Sequence, residues 1–170
     1  PGVEKLVFMT GGDFTVDTGT QKIKVFLTRS GYTGVDGVEI SVHNDDADAL
    51  ARALLAQPET KPIGLGARNS LRLEAGLCLY GNDIDDTTHP VEANLNWAMQ
   101  KVRRTGGARE GGFPGATKIL AALSAATGAN GQKGSNESRK RVGLIALERI
   151  PVRDHTELQD GQGNKIGEVT

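Results

Sequence analysis

Apolar and polar positions alternate from residue 22 to 29, Ile23, Val25 and Leu27 against Lys24, Phe26 and Thr28, the period of a strand with one covered face. Residues 38–42 repeat the pattern with Val38, Ile40 and Val42 on one side, and the apolar run at 5–9 predicts a strand ahead of both. Between the second and third strands lies Ser30-Gly31-Tyr32-Thr33-Gly34-Val35-Asp36-Gly37, whose glycines and Asp-Gly pair predict a hairpin loop with positive-φ positions. Two readings stay open there: a turn with Tyr32 packed over it, or a loop that brings backbone close to a ligand.

The period then changes to that of helices. Asn44 as N-cap with Asp45 and Asp46 in the first turn opens a helix through Ala47, Leu50 and Leu54. In residues 62–83, Ala67, Leu71 and Ala75 recur at helical spacing, as do Leu73 and Leu77, with Arg68 and Arg72 marking a polar side. Gly76 ends this helix as a C-cap glycine would. Glu74 falls in its last turn, where the carbonyl end disfavours a carboxylate by about 0.3–1 kcal/mol, so a donor partner is expected for it.

Further on, Pro90 and Glu92 open an expected helix with Val91, Leu95, Ala98 and Val102 on one face. Lys101, Arg103 and Arg104 at its end either complement the helix dipole or form an anion site. The acidic run Asp83-Ile84-Asp85-Asp86 reads as a solvated loop. Another helix is predicted over 114–128, a mobile linker over 129–140, and strands over 142–147, 157–158 and 165–170, the last two joined by Asp160-Gly161 and Gly163-Asn164. The order predicts an α+β region at 1–128, the linker at 129–140 and the beginning of a β unit at 141–170.

Composition narrows the function classes. The 170 residues carry 20 basic and 21 acidic side chains for a net charge of −1, which argues against nucleic acid or an anionic membrane surface as the main partner. No apolar run approaches the roughly 18 residues that span a bilayer. Cys78 is the single cysteine, so no internal disulfide forms, and its apolar neighbours predict a buried, reduced thiol. His43, His89 and His155 have no ligand-type spacing, and no metal site is expected. The chain starts at Pro1 and stops at Thr170, inside a predicted strand, and reads as an internal piece of a longer protein.

Gly31-Tyr32-Thr33-Gly34 with Asp36-Gly37-Val38-Glu39-Ile40, residues 68–83 with the Leu-Arg-Leu-Glu-Ala-Gly-Leu core at 71–77, Pro90-Val91-Glu92, Trp97, Arg103, Phe113-Pro114-Gly115 and Arg141-Val142-Gly143-Leu144 follow one another along nearly the whole chain. Together these stretches resemble the aminomethyltransferase, or T-protein, family of the glycine cleavage system. The resemblance implies an α+β folate-binding aminomethyltransferase-type domain with an antiparallel sheet and helices, followed by the start of a C-terminal β-barrel domain. It implies a tetrahydrofolate-dependent transferase, mitochondrial in eukaryotes. Such an enzyme takes an aminomethyl group from the lipoyl arm of the H protein, releases ammonia and forms 5,10-methylenetetrahydrofolate. Glu74 would accept from the pterin ring, Arg103 would hold the glutamate tail of folate, and Tyr32 would support the pocket. The family's catalytic aspartate lies upstream of Pro1, so no residue here takes that role and the piece alone is expected to be inactive.

Three positions depart from the family pattern: Asn69 stands where Asp is common, Val35 where Glu follows Thr-Gly, and His89 where Thr precedes Pro90. The last is expected to lose a helix cap worth about 0.5–2 kcal/mol unless Thr88 compensates. Two rival readings are the folate-binding domain of a sarcosine or dimethylglycine dehydrogenase, and a folate-binding protein without transfer activity.

Overall fold

Strand β2, Lys22–Thr28, is the middle of a three-stranded antiparallel sheet between β1, Gly11–Asp17, and β3, Glu39–Val42. Its alternation in sequence is an alternation of burial, with Ile23, Val25 and Leu27 inside and Lys24 and Phe26 outside. Phe14 and Val16 of β1 and Ile40 and Val42 of β3 line the same side, and helix α1, Asn44–Leu55, covers it with Ala49 and Leu50. Each buried β2 side chain stabilises the face by about 1.5–3 kcal/mol. This computed structural model describes residues 2–127 and 139–170. They form two units, 1–77 and 78–170, of which the sheet and α1 belong to the first.

The first strand is not at 5–9 but at Gly11–Asp17. Val3–Lys5 instead makes one 3-10 turn, Val7, Phe8 and Met9 are exposed, and Met9 has a left-handed φ of 65°. The strand opens on a Gly-Gly pair, of which Gly11 pairs with Thr28 in the sheet. A Cβ at Gly11 would lie 2.9 Å from Phe26 Cε1 and 2.8 Å from Leu27 O, so the phenylalanine ring and backbone occupy the space a side chain would need. Glycine is therefore required there by close approach.

Helix α1 begins where predicted, but its cap is His43, whose Nδ1 accepts from the Asp45 N–H at 3.4 Å, and Asn44 is already helical. Helix α2, Leu65–Glu74, ends as expected at Gly76, which has φ 69°. Gly76 N–H donates to Leu73 O at 2.9 Å and Leu77 N–H to Arg72 O at 2.8 Å, the paired bonds of a Schellman closure. The expected apolar face of α2 is not covered, and the buried residue of the helix is Arg72. Arg72 is only 6% exposed and its Nη1 donates to Leu77 O at 3.3 Å, while Leu73 is 61% exposed and Leu71 is exposed too. Periodicity reveals two faces; the backbone carbonyls at the helix end decide that the guanidinium folds inward.

In the second unit, α3, Ala116–Thr127, packs Ala122 and Leu123 on Val91, with Met99 and Ile119 at the margin. The helix expected from Pro90 to Val102 is a single turn followed by two 3-10 turns, Asn96–Ala98 and Lys101–Arg103. Asn94 stops it with φ 59°, and the bonds Asn94 N–H to Val91 O and Leu95 N–H to Pro90 O close the turn as at Gly76. With no α-helix, the dipole explanation for Lys101, Arg103 and Arg104 does not hold. The cap at this turn is kept: Glu92 N–H donates to His89 Nδ1 at 3.4 Å and His89 N–H to Glu92 Oε1 at 2.7 Å. That is a reciprocal capping box with histidine in the serine or threonine place.

Glu92 is 8% exposed and also receives Arg139 Nε at 3.3 Å. Burial pushes its carboxyl up, but the His89 N–H and the Arg139 guanidinium outweigh burial and hold it below the usual glutamate range. Arg141 docks on the same turn through Asn94 Nδ2 to Arg141 O at 2.7 Å and Arg141 Nε to Ala93 O at 3.0 Å. Of the linker expected at 129–140, all but its last two positions lie outside the described residues.

The expected strand at 142–147 is absent: Ile145 is 90% and Leu147 99% exposed, and no described strand pairs with them. A strand needs a partner for its backbone groups. The hairpin that follows is present as β4, Glu157–Gln159, and β5, Lys165–Glu168, its turn held by Asp160 Oδ1 accepting from Gln162 and Asn164 N–H groups. This antiparallel pair, with the first sheet and the three α-helices of the described residues, makes the fold α+β; a β-barrel is not established by a two-stranded hairpin.

Ile23→Ala is expected to destabilise the protein by about 2–5 kcal/mol in urea unfolding, while Lys24→Ala on the outer face stays within about 0.5 kcal/mol. Glu92 has a folded-state pKa below its unfolded value, so its contribution is complete above about pH 4.3 and is lost as pH falls through the folded value. The stability gap between wild type and Glu92→Gln should therefore be present at pH 7 and narrow progressively below pH ~4.3 in acid unfolding. A gap constant down to pH ~2.5 would contradict this account.

Candidate functional site

Loop 30–37 of the first unit starts from an arginine. Arg29 Nε and Nη2 donate to Asp36 Oδ1 and Oδ2, each at 2.8 Å, and Nη1 donates to Leu6 O at 2.8 Å. The planar fork matches the carboxylate two bonds at a time, so it fixes orientation as well as position. The hydrogen bonds from Arg29 hold the Asp36 carboxyl below the usual aspartate range. At the strand side, the Ser30 hydroxyl donates to the Glu39 carboxylate, and Thr28 Oγ1 lies 2.8 Å from Ser30 Oγ. Both ends of the loop are thus tied to the sheet.

The middle of the loop rests on α2. The Arg68 guanidinium lies over the Tyr32 ring, 4.5 Å from its centroid. Seven residues along the same helix, Ala75 meets Gly34, whose φ is 77° and where any added Cβ would collide with the Ala75 methyl. Both features of Gly34 exclude a side chain, one by backbone conformation and the other by close approach. Of the two readings of this loop, the structure contains the packed one, with Tyr32 half-buried against α2.

Glu74 precedes Ala75 in the last turn of α2. It is exposed, and among the described residues its carboxylate takes part in no hydrogen bond or ion pair. The donor expected for it is therefore not supplied by the described part of the chain. A carboxylate with both oxygens available can accept two adjacent N–H groups of a flat ligand at once. On the same helix, Arg68 covers the aromatic ring of loop residue Tyr32.

Arg103 belongs to the second unit, in the 3-10 turn Lys101–Arg103. Its Nη1 donates to Gly111 O at 3.2 Å, and a Cβ at Gly112, φ 71°, would lie 2.7 Å from that nitrogen. Gly111 N–H returns a bond to Arg103 O at 3.0 Å. The glycine-rich break after residue 105 therefore wraps the arginine, and the left-handed φ at 112 favours glycine beside the guanidinium. Among the described residues Nε and Nη2 donate to nothing, leaving two parallel donors for an anion. Arg104 is committed elsewhere, to Met99 O at 3.1 Å and Asn96 O at 2.6 Å.

The remaining candidates are structural. Asp83 accepts from Leu79 N–H and Thr170 Oγ1, and Asp85 accepts from Thr87 and Thr88, whose hydroxyls hold it below the usual aspartate range. Among the described residues no group of three or more His, Cys, Asp or Glu is placed to hold a metal. Cys78 is in no disulfide and is half-buried rather than buried. No described helix is long and apolar enough to cross a membrane. Sequence reading missed Arg68, taken as a generic polar position, and the Arg29–Asp36 fork. The Asp-Gly turn and the i, i+7 spacing of arginine and alanine contain no signal that would have singled them out.

A model of the GCVT N-terminal domain family matches residues 4–103. The probable mitochondrial aminomethyltransferase of Schizosaccharomyces pombe is 44% identical over 170 residues, which cover 100% of this chain and 39% of that protein. The human mitochondrial aminomethyltransferase is 49% identical over 168 residues, covering 99% and 37%. Among solved structures, the glycine cleavage system aminomethyltransferase T of Bartonella henselae superposes with a TM-score of 0.78 at 44% identity, covering 99% of this chain and 40% of that one. The chain thus spans about two-fifths of the length of these relatives.

Gly34→Ala should destabilise the first unit by about 1–2 kcal/mol from the positive φ alone, and by more because of Ala75. Adding Ala75→Gly should return the contact part and leave the φ part. Chemical unfolding of the three variants checks this; a double variant no better than Gly34→Ala would show that the two residues do not press on one another.

Proposed function

The chain belongs to the GCVT N-terminal domain family, and from that membership we propose that its protein is a tetrahydrofolate-dependent aminomethyltransferase of the glycine cleavage system. On this reading the protein takes an aminomethyl group from the lipoyl arm of the H protein, releases ammonia and passes the one-carbon unit to tetrahydrofolate. Mitochondrial relatives in yeast, plants and human support a mitochondrial location. Residues 1–128 then form part of the folate-binding domain, and 141–170, after the 129–140 linker, begin a C-terminal β-barrel domain. The catalytic aspartate of the family is assigned to a part of the protein outside this chain, which alone is inactive.

One observation carries the site assignment: Glu74 is an exposed carboxylate with no internal donor among the described residues, at the helix end where an unpaired negative charge is disfavoured. A pterin supplies what it lacks, a ring N–H beside an exocyclic amine, and fits the donor-free carboxylate. Tyr32 supports the pocket as an aromatic wall from the loop held on α2. Arg103, with two donors uncommitted among the described residues, suits the carboxylates of the glutamate tail. Tetrahydrofolate when bound supplies the nitrogen that accepts the one-carbon unit. What these residues contribute is recognition and orientation. Names given to the relatives favour the transferase over the sarcosine and dimethylglycine dehydrogenase reading.

Titrating tetrahydrofolate into the full-length protein tests the two roles separately. Glu74→Ala should weaken binding about 10–100-fold, the loss of a charged hydrogen-bonded pair. Arg103→Met should weaken tetrahydrofolate while leaving a reduced pterin without the glutamate tail unaffected. Equal affinity of wild type and Glu74→Ala would overturn the proposed function.

A further inference from the structure

Arg68 is the polar residue on α2 that sequence reading left without a task. Its guanidinium makes no ion pair and no side-chain hydrogen bond among the described residues. What it does is cover the Tyr32 ring at 4.5 Å, one helical turn after the start of α2. Gly34 of loop 30–37 also meets Ala75 at the end of the helix, and Arg29 and Ser30 tie the loop to the sheet. We propose that Arg68 is a positioning residue: by stacking on Tyr32 it keeps the middle of the loop against α2, the helix that carries Glu74, and so fixes the orientation in which Tyr32 meets a flat heteroaromatic ring. This rests on the reading of Glu74 as the pterin acceptor.

The physical argument has two parts. A guanidinium over an aromatic face at an exposed site is attracted by the ring quadrupole and stacks flat, so it restrains tilt as well as distance. Gly34 and Ala75 alone make a point contact, about which the loop can still pivot; a second contact seven residues away on the same helix removes that freedom. Tyr32 can then present its far face or edge in one orientation, without the cost of ordering the loop when ligand binds. Lysine retains the cation but lacks the planar fork, and methionine retains the length but lacks the charge.

The test uses the full-length protein with Arg68→Met, Arg68→Lys, Tyr32→Leu and the Arg68→Met/Tyr32→Leu pair. Without ligand, hydrogen exchange of the amides at 30–37 should rise about two- to fivefold in Arg68→Met and return most of the way in Arg68→Lys, the factor expected of an exposed cation–π contact. Equal exchange in wild type and Arg68→Met overturns the proposal, whatever the protein binds. With tetrahydrofolate, Arg68→Met should raise the dissociation constant by a similar factor, and the pair should bind no more weakly than Tyr32→Leu alone. Losses that simply add overturn the claim that Arg68 acts through Tyr32. If Glu74→Ala leaves affinity unchanged the pterin reading falls, and the ligand-free exchange still decides the role of Arg68.

Discussion

Everything placed around Glu74 depends on loop 30–37 being held against α2. The loop contains three glycines besides Tyr32, a composition with a large conformational entropy to lose. It is ordered by three kinds of constraint acting at different points: a bidentate ion pair from Arg29 to Asp36, a hydroxyl relay from Thr28 through Ser30 to Glu39, and packing of Tyr32 and Gly34 on Arg68 and Ala75. The first two fix the loop to the sheet and the third fixes it to the helix. Sheet, loop and the carboxyl end of α2 are thereby one assembly, whose burial comes from the apolar face of β2.

A different device serves the second unit. A histidine capping box closes the turn after residue 89, and Glu92 of that box is also the buried anion on which Arg139 rests. The segment that returns after the undescribed stretch is thus anchored through charge and through Arg141 to carbonyls of the same turn. Breaking such a pair from one side leaves a buried charge, which costs more than the pair itself contributes. The departure of His89 from the family pattern is in this way absorbed without loss of the cap. Val35 and Asn69, the other two departures, are exposed, and nothing in the structure gives either a role.

How far the fold was legible follows from the kind of signal. β2 is legible because its apolar period reports burial directly, and Gly76 because a positive φ at a helix end calls for glycine. α1 is legible from its acidic first turn, yet of its expected face only Leu50 is buried. β1 is not legible because Gly11 and Gly12 supply no apolar period at its start, the first of them leaving room for the Phe26 ring packed across the strand. The 90–102 helix ends early because Asn94 takes the left-handed conformation, an option periodicity does not reveal. The period of α2 shows two faces but not that Arg72 alone among its residues is buried. At the site, Glu74 was visible as a carboxylate in the wrong place for a helix dipole. Arg68 was not, since stacking on a loop 36 positions earlier in the chain leaves no mark in local spacing.

On the proposed function, Glu74 faces a pterin and supplies both acceptor oxygens. A crystal structure of the full-length protein with tetrahydrofolate bound measures this directly. The Glu74 oxygens are predicted within about 2.7–3.0 Å of the pterin ring N–H nitrogen and its exocyclic amine, with loop 30–37 still stacked on Arg68. A pterin seated elsewhere, with Glu74 left in solvent, would contradict it.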